Sequence, residues 1–111
     1  MEYSFKEELK KYGLNDKEVS IYLYLLTSAS KSIKDISVTT DIPRTTVIEN
    51  LDRLIHKGLV SEIIESGSRS FVAESPTKLR DLVHEKKNEL LLELEKVKSL
   101  DEKLPFLLND F

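Results

Sequence analysis

Of the seven polar side chains in the stretch RTTVIENLDR, residues 44–53, six stand out: Arg44, Thr45, Thr46, Glu49, Asn50 and Arg53. Their chemistry is hydrogen bonding. A guanidinium is a rigid fork of donors, a primary amide both donates and accepts, and so does a hydroxyl. Nothing comparable points to catalysis. Cysteine is absent, which excludes disulfides, thiol nucleophiles and thiolate-bound metals. The two histidines, His56 and His84, are well separated, and neither has a recognisable nucleophile or metal-ligating neighbour. No Gly-rich loop is present to cradle a phosphate. No catalytic residue, metal ligand or cofactor is therefore expected.

A helix must present these six side chains. Val47, Leu51 and Leu54 recur at helical spacing, with Ile48 and Ile55 flanking, so one face of a helix at about 43–57 faces the core. The polar six are then left outward. Pro43 suits the first helical turn because it has no N–H to leave unpaired. Gly58 ends the helix, and Leu59 and Val60 turn back into a strand.

The neighbouring segments follow from the same signals. Phe5, Leu9 and Tyr12 mark a short first helix at 2–12, with Gly13 as a left-handed stop. Asn15 with Glu18 is a capping box opening a second helix, whose Val19, Tyr22, Leu23 and Leu26 share a face. Ser32 with Asp35 repeats the cap pattern before a short helix carrying Ile33 and Ile36, with Val38 as a further apolar member. A turn at Thr39-Thr40-Asp41 joins it to the helix at 43–57. Residues 59–64 and 70–74 read as strands, and Ser66-Gly67-Ser68-Arg69 supplies the turn of a β-hairpin. Ser75-Pro76 then opens a long helix. In it Val83, Leu90, Val97 and Leu104 are spaced by sevens, and Pro105 is expected to break it and push Leu104 out of helical geometry.

The fold class is therefore mainly α with a small β-hairpin. A helix-turn-helix followed directly by a hairpin is a winged helix, and a long C-terminal helix follows it. Residues 1–75 form the winged helix-turn-helix, and 76–111 form a helix with an apolar tail, PFLLNDF.

LNDKEVSIYLYLLTS at 14–28, IPRTTVIENLDRLIHKGLV at 42–60 and RSFVAESPTKL at 69–79 resemble the DNA-binding domain of TrmB-type transcriptional regulators. These are winged-helix proteins, mostly archaeal and also bacterial, related in fold to the MarR group. The likeness covers roughly residues 10–85, and the IPRTTV and KGLV segments carry it in combination. Long members continue into a large sugar-binding domain that these 111 residues do not include, so no sugar effector is carried over. Family members often have glycine where Asp41 stands, and aspartate tolerates the left-handed conformation better than most residues.

The resemblance implies double-stranded DNA as the partner. The helix at 43–57 would enter the major groove with its N-terminal residues nearest the base edges. Arg44 then suits guanine O6 and N7, Asn50 suits adenine N6 and N7, and the methyl groups of Thr45 and Thr46 suit thymine. Glu49 would repel phosphate and fits a cytosine amine or a salt bridge better. Ser32 and Thr40 are placed for phosphate oxygens, with Lys31 and Lys34 adding positive charge. Arg69, at a wing tip of about 65–70, suits the minor groove or the backbone. Each residue has a plainer alternative. Arg44 can pair with Asp41 or Glu49, and Arg69 can decorate a mobile turn.

Charge argues the other way. The net charge is −3 and is spread along the chain, whereas many nucleic-acid binders are basic. A protein-contact winged helix without strong DNA binding is the competing reading. A homodimer would offset a modest basic surface by doubling it. Val83, Leu90, Leu94, Val97 and Leu104, joined by Phe5 and Leu9, are the expected dimerisation residues, with Lys86, Lys87 and Glu93 interrupting a long parallel zipper. No residue points to a particular small-molecule effector. No apolar run is long enough to span a membrane and no signal peptide is recognisable, so a cytoplasmic location is expected.

Overall fold

The computed structural model describes residues 2–109, with side chains from Lys6 to Leu108. Its elements run α1 (Glu2–Lys10), α2 (Asp16–Leu26), α3 (Ile33–Thr40), α4 (Arg44–His56), β1 (Val60–Glu65), β2 (Ser68–Ala73) and α5 (Lys78–Asn109). The fold is the mainly helical winged helix expected, with one antiparallel hairpin and a long C-terminal helix.

Local chemistry sets the boundaries. Asn15 Oδ1 accepts from the Glu18 amide at 2.7 Å while Glu18 Oε1 accepts from the Asn15 amide at 3.1 Å, a closed capping box. Glu18 does more than cap. It is buried and pairs with Lys57 Nζ at 2.5 Å, and that ammonium also donates to the Gly13 carbonyl at 2.9 Å. The start of α2 is thereby tied to the end of α4. Gly58, at φ 78°, then reverses the chain into β1.

The core lies where α2, α3, α4 and the hairpin meet. Tyr22, Ile21 and Leu25 of α2 pack with Ile36, Val47, Leu51, Leu54, Leu59 and Phe71, all essentially without solvent contact. The buried face of α2 differs from the one expected. Ile21 and Leu25 are buried, while Leu23 and Leu26 are only half-buried. The cause is that α2 contacts α1, α3, α4 and β2 together, so its apolar stripe is broader than a single seam. Val38, expected on the apolar face of α3, is 73% exposed.

Several boundaries also differ. Pro43 is the N-cap of α4, with extended backbone (φ −56°, ψ 145°), instead of its first helical residue. The hairpin loop is two residues long, Ser66-Gly67, both at positive φ (50° and 79°), which matches the right-handed twist of the strands. Ser68 and Arg69 accordingly belong to β2. Ser75 does not cap α5 directly. Its carbonyl accepts from the Lys78 amide at 3.0 Å in a turn, and α5 begins at Lys78.

Two compact units are present, Met1–Arg80 and Asp81–Phe111. α5, most of which lies in the second, continues past Pro105, contrary to the expected break. Proline there removes one helical donor, and on an exposed last stretch of helix water can satisfy the carbonyl left over. Leu104 stays helical and exposed.

Candidate nucleic-acid interface

Residues 32–46 show how the chain builds an open helix terminus. Ser32 caps α3, its Oγ accepting from the Asp35 amide at 3.1 Å, so its O–H remains able to donate. Thr40 donates its hydroxyl to the Ile36 carbonyl at 2.6 Å, which leaves its oxygen as an acceptor. Asp41 takes the left-handed conformation (φ 57°, ψ 39°) that turns the chain, and Ser37 Oγ donates to the Ile42 carbonyl at 2.6 Å to hold that turn. Ile42 is buried, so α4 starts from a fixed point.

No side chain caps α4 and no acidic residue sits in its first turn. The positive end of its dipole and its first amides are thus open to an anion. Arg44 and Thr45 are exposed there, Thr46 is half-buried, and Glu49 is exposed one turn on. Among the described residues Arg44 forms no ion pair, with Asp41 or Glu49 or any other carboxylate. Lys34, on α3, is exposed as well.

Asn50 requires a correction. It is 2% exposed, its Nδ2 donating to the Thr46 carbonyl at 2.8 Å and its Oδ1 accepting from Arg53 Nη1 at 3.4 Å. An amide held in this way has no free edge for a base. The signal was in the spacing: 47, 50, 51 and 54 follow the i, i+3, i+4, i+7 pattern of one buried face. Arg53 is exposed, and its guanidinium donates to Asn50.

The hairpin is fixed against this unit at three points. Lys31 and Phe71 exchange two backbone hydrogen bonds, at 3.0 and 2.9 Å, immediately before the Ser32 cap. Ser30 Oγ donates to Glu65 Oε1 at 3.0 Å. At the base, Tyr22 donates its phenol to the Glu74 carbonyl at 3.2 Å, and burial followed by the Glu74 charge pushes that phenol above its ordinary pKa.

Arg69 is not at the wing tip. It lies in β2 opposite Ile64, where its Nε donates to Glu62 and its guanidinium stands 5.5 Å from the Phe71 ring centre. The hydrogen bond and charge of Glu62 hold its pKa up, with Asp52 of α4 adding to the effect. Glu62, Asp52 and Phe71 were not singled out from the sequence. A two-residue loop places Glu62 and Arg69 diagonally on one face, so recognising the loop length would have found the pair.

The expected dimerisation residues separate into two groups. Val83, Leu90, Leu94, Val97 and Leu104 are exposed on α5. Leu9 is 2% exposed, buried where α1 packs on α2, and is not part of a free surface. Phe5 falls in α1, and its side chain lies outside the described residues. Among the described residues no cluster of His, Cys, Asp or Glu is arranged to hold a metal ion, and no helix is long and apolar enough to cross a membrane.

A helix-turn-helix with an open second-helix terminus and an attached hairpin defines the winged-helix class. Within it, residues 9–80 match the family described as "Sugar-specific transcriptional regulator TrmB", and the chain belongs to that family. That family is one of transcriptional regulators. Solved structures agree in fold. TrmBL2, described as an archaeal chromatin protein with a novel mode of DNA binding, superposes with a TM-score of 0.79 at 20% identity. The match covers 94% of this chain and 41% of that one, so the present chain spans less than half of that relative's length. The ST1889 protein of Sulfolobus tokodaii gives a TM-score of 0.58 at 20% identity, covering 86% and 93% of the two chains. MepR, a transcription regulator of a Staphylococcus aureus multidrug efflux pump, gives 0.60 at 13%, covering 95% and 85%. A comparison with curated protein sequences finds no match.

Proposed function

We propose that this protein binds double-stranded DNA sequence-specifically as a homodimeric transcriptional regulator, with α4 in the major groove and the wing at about 65–70 against the minor groove or backbone. The observation that carries the reading is the uncapped, acid-free N-terminus of α4 with an exposed Arg44 beside it that has no ion-pair partner among the described residues. Family membership supplies the context. Ser32 is the phosphate contact, joined by Thr40 once its hydroxyl turns from the Ile36 carbonyl to the phosphate, Lys34 adds charge, and Arg44, Thr45, Thr46 and Glu49 meet base edges. Arg53 serves the backbone, its angle set by Asn50.

Dimerisation rests on α5. Its apolar side chains are exposed along the helix, Leu90 at 69% and Val97 at 59%, and such a row on a soluble regulator calls for a cover. A second copy of the same helix provides one, and two α4 helices then read half-sites about one DNA turn apart.

Fluorescence anisotropy of a labelled mixed-sequence duplex, at ~50 and ~200 mM salt, tests the reading. Wild-type protein should bind and weaken steeply with salt. Arg44→Ala should lose about 1–3 kcal/mol of binding. The competing protein-contact function is favoured by the net charge of −3 and by the carboxylate already engaging Arg69. It predicts no duplex binding at the lower salt and a silent Arg44→Ala.

A further inference from the structure

Two of the arginines considered for DNA contact, Arg44 and Arg69, stand in opposite electrostatic situations. Arg44 has no carboxylate partner among the described residues, whereas Arg69 is bound through Nε to Glu62, under the added influence of Asp52. The Arg69 guanidinium also stands 5.5 Å from the centre of the Phe71 ring, and Phe71 is 1% exposed, so the ring is part of the rigid core. One side of the guanidinium is thus occupied by a carboxylate while an aromatic ring faces it. Glu62 and Arg69 sit on paired strands joined by a two-residue loop, so their approach is fixed by register and does not depend on a flexible tip.

A phosphate reaching Arg69 meets a charge already neutralised at contact distance. Binding requires either exchange of Glu62 for the phosphate or acceptance of a carboxylate close to it, and both remove most of the Coulombic gain. We propose that Glu62 restrains the wing: by engaging Arg69 it suppresses the general, sequence-independent affinity of the protein for duplex DNA. Base-edge reading is then left to α4, whose arginine carries no such restraint. This inference rests on the DNA-binding reading above.

The test compares four forms of the full chain, wild type, Glu62→Gln, Arg69→Ala and the double variant, against one labelled mixed-sequence duplex across a salt series. Glu62→Gln keeps size and removes the charge. It should raise low-salt affinity about three- to tenfold and steepen the log–log salt slope by about one. Arg69→Ala alone should lower affinity about three- to tenfold, because it leaves the Glu62 carboxylate unpaired beside the DNA. The double variant, with both charges removed, should bind within about twofold of wild type. Circular dichroism melting confirms that each form folds, and Glu62→Thr, a residue suited to strands, replaces the glutamine if that variant melts early. Unchanged affinity on removing the Glu62 charge overturns the inference and leaves the DNA reading standing. So does a gain that survives in the double variant, since it would come from lost repulsion alone. Absence of binding by all four forms overturns both.

Discussion

At the scale of single residues, Asn50 and Arg44 show how two polar side chains six positions apart divide their work. Asn50 is enclosed and spends its amide on the Thr46 carbonyl and on Arg53. Replacing it with alanine should destabilise the fold by about 1–2 kcal/mol in urea unfolding, because buried groups lose partners. The same titration should find Arg44→Ala within about 0.5 kcal/mol of wild type, as an exposed residue with no ion pair among the described residues requires. Equal stability losses would mean that the two residues are not partitioned in this way. Tyr22 gives a pH-dependent counterpart. Burial and Glu74 raise its phenol above the ordinary value of 10.0, so folding favours the neutral form. Its contribution is intact below that ordinary value and is lost as pH rises through the folded value. Tyr22→Phe should cost about 1 kcal/mol near neutrality and flatten the loss of stability above pH 10, measured by thermal melts across the alkaline range. An unchanged alkaline slope would contradict this. Residue identity made Arg44, Ser32 and the Asn15–Glu18 box legible in the sequence, because caps and exposed arginines obey local rules. The partners of Arg69 and the burial of Asn50 depend on register and on a second packing surface, and were missed.

At the scale of elements, the hairpin and the helix-turn-helix are held by different means. The turn between α3 and α4 is fixed by side-chain bonds and the buried Ile42, with Asp41 accepting a left-handed backbone. The hairpin loop instead depends on two residues at positive φ. Nothing lies within 4 Å of the Cβ that Gly67 would carry, so Gly67→Ala is a purely conformational change. It should destabilise by about 1–2 kcal/mol, with the largest amide exchange increases in residues 60–73. A neutral substitution would mean that the loop readily adopts another form. Element order and type were readable because each helix has its own apolar period and cap. Loop length was not, since Ser66-Gly67-Ser68-Arg69 offers turn residues at every position and only strand pairing selects two of them. The proline at 105 was over-weighted for a similar reason, as the cost of a lost donor falls near a helix end that water can reach.

At the scale of the whole molecule, the proposal depends on the exposed row along α5. That helix would be about 48 Å long at ~1.5 Å per residue, and Val83, Leu90, Leu94, Val97 and Leu104 remain open to solvent along it. The protein should sediment as a dimer at micromolar concentration, and Leu90→Lys with Val97→Lys should make it monomeric without unfolding residues 14–75. A monomeric wild type would remove the dimer from the account and leave a winged helix that binds, if at all, one half-site at a time. The central claim is that DNA meets the N-terminus of α4, and amide chemical-shift mapping during titration with a mixed-sequence duplex at low salt tests it most directly. The account predicts the largest shifts at residues 44–46, with Ser32, Thr40 and the hairpin around 66–69 following. Shifts confined to α5, or none with duplex in excess, would contradict it.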